Sequence, residues 1–341
     1  MGHIEFIRKA AGRISDAFVE RAWRRLGIAP ERIGYDVGFG PLTRARAKAH
    51  RALTRRIHIA FVEAPPFGRS LGPFMTFWVN ERSRDCTASL NERIEEADAL
   101  WVFDQDPIPK AGLEAIERTL ARKKPGAVVV NPPAAYNLYH ESEGFRRMAS
   151  AGVRAPRFEF GASDVGRTEV VYKMESRQTA PKFKAPYRGP VEGYRPFEFF
   201  DVRDPDGLCR RYRLFWILGA AWPWSILVSL HWNATDKNLF RLEYDWTPRP
   251  DEIDGVRRIS EALGMGFFSV DCLRPPAGGP PIFTDVNIYT NVFLRRELNR
   301  RPRDFGRWHI FDTRARFGLK EPLGRSPWDL FDEGMCALTG R

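Results

Sequence analysis

The stretch from Ile259 to Asn291 leaves the chain the least conformational freedom: I-S-E-A-L-G-M-G-F-F-S-V-D-C-L-R-P-P-A-G-G-P-P-I-F-T-D-V-N-I-Y-T-N. A helical tail stops at Gly264, a residue type suited to the left-handed position after a helix. Gly266 to Leu273 then reads as a strand carrying Asp271. Pro275 to Pro281 reads as a turn, and Pro281 to Ile288 as a second strand ending in Asp285-Val286-Asn287. Side chains alternate along a strand, so Asp285 and Asn287 share one face. If the turn closes a hairpin, Asp271 lies across from them, and two carboxylates converge with an amide oxygen. Hard oxygen ligands of this kind suit a Mg²⁺ ion that holds a nucleotide's phosphates. The same spacing also fits a hairpin with a polar rim.

A chain of 341 residues can build two or three domains around a large core. With 43% hydrophobic and 28% charged residues it reads as globular, not disordered. Cys86, Cys209, Cys272 and Cys336 form no C-x-x-C pair, which argues against a zinc site or a disulfide framework and fits a reducing, cytoplasmic setting. The first residues place charges before any apolar run, unlike a signal peptide. The uncharged run from Leu214 to Leu230 is short for a membrane span. Gly219 and Pro223 interrupt it, so two buried strands with a turn between them are expected.

The net charge of +11 is unevenly distributed. Residues 1–56 hold thirteen Lys/Arg and five Asp/Glu, a net +8. Apolar residues recur at helical spacing from Ile4 to Leu26, and a second basic helical piece runs from Leu42 to Arg56. Such an extension could dock on an acidic partner, nucleic acid or anionic lipid, or pack on its own protein.

From Ile57 the pattern becomes α/β. Strands are expected at Ile57–Glu63, Ala99–Asp104 and Ala127–Asn131, with helices at Ser89–Ala97, Ala111–Lys123 and Ser142–Ala151. Short apolar strands separated by helices point to a parallel sheet covered on both faces. The first strand is not followed by G-x-G-x-x-G, the dinucleotide fingerprint. His58, inside an apolar strand, reads as a satisfied core histidine. Beyond Arg157 strands dominate: Glu169–Met174, which carries Lys173 at the end of an apolar run, then Tyr194–Asp201, Leu208–Leu218 and Trp224–Trp232. A helix from Pro250 to Gly264 leads back to the hairpin, and a last helix is expected near Trp328 to Leu338. A buried lysine needs a partner, and phosphate is a natural one for Lys173.

The succession S-V-D, Gly/Pro turn and D-V-N resembles the metal-binding end of the ATP-grasp superfamily. Asn131-Pro132, a helix and A-G-V-R-A-P ahead of residue 157 resemble the junction at which such proteins enter their nucleotide fold. Lys173 matches the family's phosphate lysine, and Y-R-P-F-E-F-F-D at 194–201 resembles the hinge laid along adenine. D-G-L-C-R-R-Y-R-L-F-W-I-L-G resembles the arginine strand. The resemblance spans about residues 57–290 and is most specific over 169–290.

What it implies is an ATP-grasp fold of mixed α/β and α+β type, with a parallel-sheet α/β domain (57–155) and nucleotide-gripping subdomains (156–290); the basic helical extension (1–56) and a C-terminal segment (291–341) that reads as a helical cap over the substrate pocket flank it. It implies ATP and Mg²⁺, or else Mn²⁺, with Asp271, Asp285 and Asn287 on the metal. Lys173 and Lys184, ahead of Lys182, would contact phosphates. Glu198, Phe199, Phe200 and Asp201 would hold the nucleoside. Arg213, ahead of Arg211, would face the transferring phosphate, with His231 and Asn233 toward the substrate. The implied reaction is ATP-dependent activation of a small-molecule or peptide carboxylate as an acyl phosphate, then attack by an amine or similar nucleophile. This sequence departs from the pattern in its glycine-poor loop at 175–193, in Asp285 where ligases usually carry Glu, and in Ser269 where many carry Arg. A kinase-type phosphotransferase is therefore the nearest alternative. A non-catalytic nucleotide-, nucleic-acid- or lipid-binding protein is the alternative from another class.

Overall fold

The strand sequences I-H-I-A-F-V and A-L-W-V are buried at every position, as expected of strands covered on both faces. The computed structural model describes residues 57–64, 72–104, 107–174, 182–233, 239–288 and 309–341. The basic extension, most of the loop after Met174 and the connector before His309 lie outside the described residues. Strands β1 (Ile57–Val62), β2 (Cys86–Leu90), β3 (Ala99–Val102) and β4 (Val128–Val130) form a parallel sheet in the order β2-β1-β3-β4. Helices α1 (Gly72–Arg82) and α2 (Lys110–Leu120) belong to this unit, and α3 (Ser142–Ser150) follows it.

One expectation fails here. No helix occupies Ser89–Ala97. Cys86–Leu90 is a strand paired in parallel with β1, and only a short 3₁₀ turn, Ile94–Glu96, follows it. The helix that covers this sheet is α1 instead. Met75 through Glu81 are all buried, polar Thr76, Asn80 and Glu81 included, so α1 has no polar face to give it a helical period. His58 is buried, with its ring nitrogens 3.0 Å from the Ser89 hydroxyl and 3.3 Å from that of Thr87. It is the core histidine that its strand suggested.

A three-stranded antiparallel sheet follows, in the order β6-β5-β7, built from β5 (Glu169–Met174), β6 (Phe183–Pro186) and β7 (Tyr194–Glu198). A five-stranded antiparallel sheet in the order β10-β9-β8-β11-β12 completes the fold. Its strands are β8 (Cys209–Ile217), β9 (Ala220–Ser229), β10 (Leu239–Glu243), β11 (Phe267–Leu273) and β12 (Ile282–Asn287). The uncharged run thus resolves into β8 and β9 joined at Leu218-Gly219, and among the described residues no helix is long and apolar enough to cross a membrane. Helix α4 (Pro250–Leu263) ends at Gly264, whose φ of 65° is the left-handed cap the sequence suggested. A side chain at Gly255 would collide with the Phe283 ring, so glycine there lets α4 sit on the hairpin.

One apolar core joins the parallel sheet to the five-stranded one. It includes Ile59, Phe61 and Trp101 from the first, Phe215, Trp222 and Phe267 from the second, and Phe311, Trp328 and Phe331 from the C-terminal segment. Asn131, at φ 51°, fastens β4 to β11: its amide donates to the Phe267 carbonyl at 2.8 Å and its oxygen accepts from the Phe267 N–H at 3.2 Å. The last helix, α5 (Pro327–Thr339), starts from a Ser326 cap. Phe331 stacks on Trp101 with centroids 5.9 Å apart, and Asp332 accepts the Arg84 N–H at 2.9 Å. The described C-terminal residues, 309–341, therefore contribute to the core beneath the sheets.

Candidate functional site: a charged row beneath an aromatic cleft

The Gly/Pro turn closes the expected hairpin, with Asp271 directly opposite Asp285 and Ser269 opposite Asn287. On the other side of β11, Asp271 faces Arg213, which in turn faces Ser225. Directly opposed residues share a face, so Ser225, Arg213, Asp271 and Asp285 form one row across four strands. The register shifts on both flanks of this row. Between Arg213 and Leu214 the extra residue on β9 is Trp224, beside Pro223, which has no N–H to give the ladder. Between Asp271 and Cys272 the extra residue on β12 is Thr284. Bulges twist a strand and re-aim its side chains, and they concentrate beside functional sites.

Asp271 is fully buried. Arg213 donates to it through two parallel bonds, Nε to Oδ1 at 2.6 Å and one terminal nitrogen to Oδ2 at 2.9 Å. Arg211, two residues along the same face of β8, lies 3.2 Å from Asp271 Oδ2 and 3.8 Å from Asp285 Oδ2. Burial alone would raise the Asp271 pKa, but Arg213 and then Arg211 hold it below the usual carboxylate value. From the three-stranded sheet, Lys173 Nζ donates to Asp285 Oδ1 at 2.5 Å and to the Thr284 carbonyl at 3.3 Å. Lys182 Nζ donates to Asp285 Oδ2 at 3.0 Å and to Oδ1 at 3.2 Å. Burial would likewise raise the Asp285 pKa, but Lys173, Lys182 and Arg211 pull it well below the ordinary range. Burial lowers the pKa of Lys182, and Asp285 offsets part of that effect. Four cations thus surround two carboxylates, leaving a local excess of two positive charges.

Above this row opens a cleft whose empty volume, open solvent included, is about 690 Å³. Lys173, Lys182, Arg211, Thr284 and Asp285 form its charged end, and Glu198, Phe199, Phe200 and Asp201 its other wall, with Trp232 and Asn233. Val171 and Lys173 alternate onto the cleft face of β5, while Val170 and Tyr172 turn into the small core behind it. Trp232 meets Phe199 edge to face at 5.9 Å, and Arg154 lies over the Phe200 ring. The N–H groups of Glu198 and Phe199 donate to the carbonyls of Arg157 (2.7 Å) and Glu169 (3.0 Å). Two backbone N–H groups among the residues expected to hold the nucleoside are therefore engaged in holding the hinge.

The structure gathers most of the residues singled out from sequence and reorders three of them. Lys182, not Lys184, reaches the charged end. Lys184 pairs with Glu169 and rests on the Phe199 ring, 4.4 Å from its centroid. Arg211, not Arg213, lines the cleft, because the bidentate bond to Asp271 holds Arg213 behind it against Trp224. His231 is exposed and is not among the lining residues, whereas its neighbours Trp232 and Asn233 are. Thr284 escaped notice, since nothing in a sequence marks the bulge that presents its carbonyl to Lys173.

Among the described residues no group of three or more His, Cys, Asp or Glu side chains could cage a metal. The local set is two carboxylates and the Asn287 amide. Mg²⁺ keeps several waters and is commonly held by one or two carboxylates plus phosphate oxygens. The set therefore fits an ion that arrives with phosphates and does not fit an ion bound by protein alone.

No family model and no curated protein matches the sequence. Among solved structures, it is similar to the ATP-grasp ligase PsnB complexed with precursor peptide PsnA2 and AMPPNP, at 13% identity over 83% of this chain and 98% of that one, with a TM-score of 0.49. It is also similar to a RimK domain ATP-grasp protein from Sphaerobacter thermophilus, at 14% identity over 81% and 98% of the two chains, with a TM-score of 0.45. A third match is the ADP complex of PurK, N5-carboxyaminoimidazole ribonucleotide synthetase, at 9% identity over 68% and 70%, with a TM-score of 0.46.

Proposed function

We propose that this protein is an ATP-dependent ligase that activates a substrate carboxylate by phosphorylation. The observation that carries the reading is the meeting of Lys173, Lys182, Arg211 and Asp285 at one end of a cleft whose other wall is the aromatic hinge 198–201. A nucleoside fits the aromatic end, with Phe199 and Phe200 against the base and Asp201 toward the ribose hydroxyls. Its phosphates then reach the two lysines, which bind them as charge-assisted donors. Arg211 stands where charge develops on the transferring group and acts as the catalytic cation. Arg213 acts through Asp271 as a positioning residue. Asp285 and Asn287, with Asp271 behind them, would hold Mg²⁺, which when bound supplies charge neutralisation on the phosphates. The γ-phosphoryl group passes to a carboxylate oxygen, giving ADP and an acyl phosphate. An amine or similar nucleophile then forms the new acyl bond and releases inorganic phosphate.

Hydroxylamine serves as a general nucleophile in the test. The protein is incubated with ATP, Mg²⁺ and a panel of carboxylic acids, including peptides. ADP, phosphate and a hydroxamate should form together, and only when an acid is present. A stable phosphorylated product without free phosphate would replace the ligase by a kinase. No turnover with any acid, together with intact nucleotide binding, would leave a nucleotide-binding protein.

A further inference from the structure

Both oxygens of Asp285 accept from lysines of the other sheet, Oδ1 from Lys173 and Lys182 and Oδ2 from Lys182. Arg211 stands 3.8 Å from the same carboxylate. The cations that would receive phosphate therefore already hold an anion, and that anion is part of the chain. We infer that Asp285 is an intramolecular competitor of the nucleotide's phosphates, which occupies their seat until a divalent cation draws it away. The inference rests on the nucleotide site proposed above and adds a rule of entry to it.

The physical argument is one of exchange. A carboxylate held by two ammonium groups in a half-buried site is already well solvated by the protein. A phosphate arriving alone must displace it and leave the half-buried Asp285 charge with only Arg211, 3.8 Å away, which is costly. Most of what the phosphate gains from the lysines is then offset. A phosphate arriving with Mg²⁺ brings a new partner for Asp285, so the lysines turn to the phosphate while the carboxylate turns to the metal. Nucleotide affinity becomes conditional on the cation, although the chain has positive charge in excess at the site. Asp285 is also the last residue of the charged row, on the edge strand β12. Its short side chain, directly opposite Asp271, ends within reach of both lysines.

The test is calorimetric titration of the full chain with adenosine and with ADP, each with EDTA and with MgCl₂. Adenosine probes the aromatic end and ADP the seat of the phosphates. In the wild type with EDTA, ADP should bind within about threefold of adenosine, about 0.7 kcal/mol. MgCl₂ should strengthen ADP and leave adenosine unchanged. In Asp285→Asn, metal-free ADP should bind about tenfold tighter than it does to the wild type, and MgCl₂ should add little. Metal-free ADP already tenfold or more tighter than adenosine in the wild type would overturn the inference without recourse to any variant. So would an Asp285→Asn protein that loses affinity for Mg-ADP while its metal-free affinity stays put, since that is the behaviour of a metal ligand alone. Failure of both adenosine and ADP to bind under every condition would instead remove the nucleotide reading on which this one rests.

Discussion

Replacing Arg213 by methionine tests the charged row most directly, because the side chain serves Asp271 and is not exposed to the cleft. Asp271 is fully buried, and Arg213 supplies two of its hydrogen bonds, at 2.6 and 2.9 Å. At an effective dielectric of about 20, unit charges about 4 Å apart attract by about 4 kcal/mol. Removing one member of a buried pair typically costs about 3–5 kcal/mol, because the other is left uncompensated. Arg211 remains 3.2 Å from Asp271 as a residual partner, which places this variant at the low end, about 3 kcal/mol. The double variant Arg213→Met, Asp271→Leu removes both charges and should recover most of that loss, since an apolar pair of similar volume is often neutral. Urea unfolding followed by tryptophan fluorescence and circular dichroism reads both quantities. The pKa direction supplies a second readout. Asp271 is depressed in the fold, so its contribution is present above the unfolded carboxylate value and is lost as pH falls through the folded one. The double variant should therefore lose less stability than the wild type on acidification below about pH 4. A cost under about 1 kcal/mol for Arg213→Met, the level of an exposed pair, would refute the burial argument.

Three further outcomes follow from the same geometry. Lys182→Met should weaken Mg-ADP binding at least tenfold and Lys184→Met less than threefold in calorimetric titration, on the scale of one charge-assisted hydrogen bond; the opposite order would restore Lys184 as the phosphate ligand. His58 and His309 are buried, and burial lowers their pKa values to about 4 and about 3. Each therefore contributes stability above the free histidine value near 6.5 that is lost as pH falls toward the folded one, so stability should decline below pH 6.5 and His58→Gln should flatten part of that slope in pH-dependent unfolding. Phe331→Ala should cost about 3–5 kcal/mol in the same urea assay, as for a fully buried aromatic, and should leave adenosine affinity unchanged because α5 does not line the cleft.

How much of this was legible depended on whether a residue's role was set by local pattern or by tertiary register. The hairpin with Asp271 opposite Asp285 follows from alternation and a Gly/Pro turn, both local, and the structure has it in that register. The core role of His58, the left-handed Gly264 and the two strands at 209–229 were equally local inferences. Helix α1 was hidden because burial on all sides removes the polar face on which helical periodicity depends. The exchange of Arg211 for Arg213 was hidden for another reason. The two lie on the same face of β8, and sequence cannot say which one a buried carboxylate on the next strand will claim. Lys182, just before β6, and Lys184 within it pose the same ambiguity, settled by the distance to a strand in another sheet.

The two walls of the cleft are supported very unequally. The five-stranded sheet shares both large cores, and its row Arg213, Asp271 and Asp285 is set by three hydrogen-bonded strands. Among the described residues, the three-stranded sheet has its own core of Val170, Tyr172 and Tyr187, with a few half-buried neighbours. Local opening costs least where few apolar contacts must be broken, so displacement of the β5-β6-β7 sheet is cheaper than any change in the row. The lysines ride on the lightly held wall and their counter-charges on the rigid one. The bonds from Lys173 and Lys182 to Asp285 are consequently part of what keeps the walls together. A ligand that takes those lysines must supply the connection that Asp285 gives up. A metal-bound polyphosphate can do so, because it offers oxygens to one wall and a cation to the other.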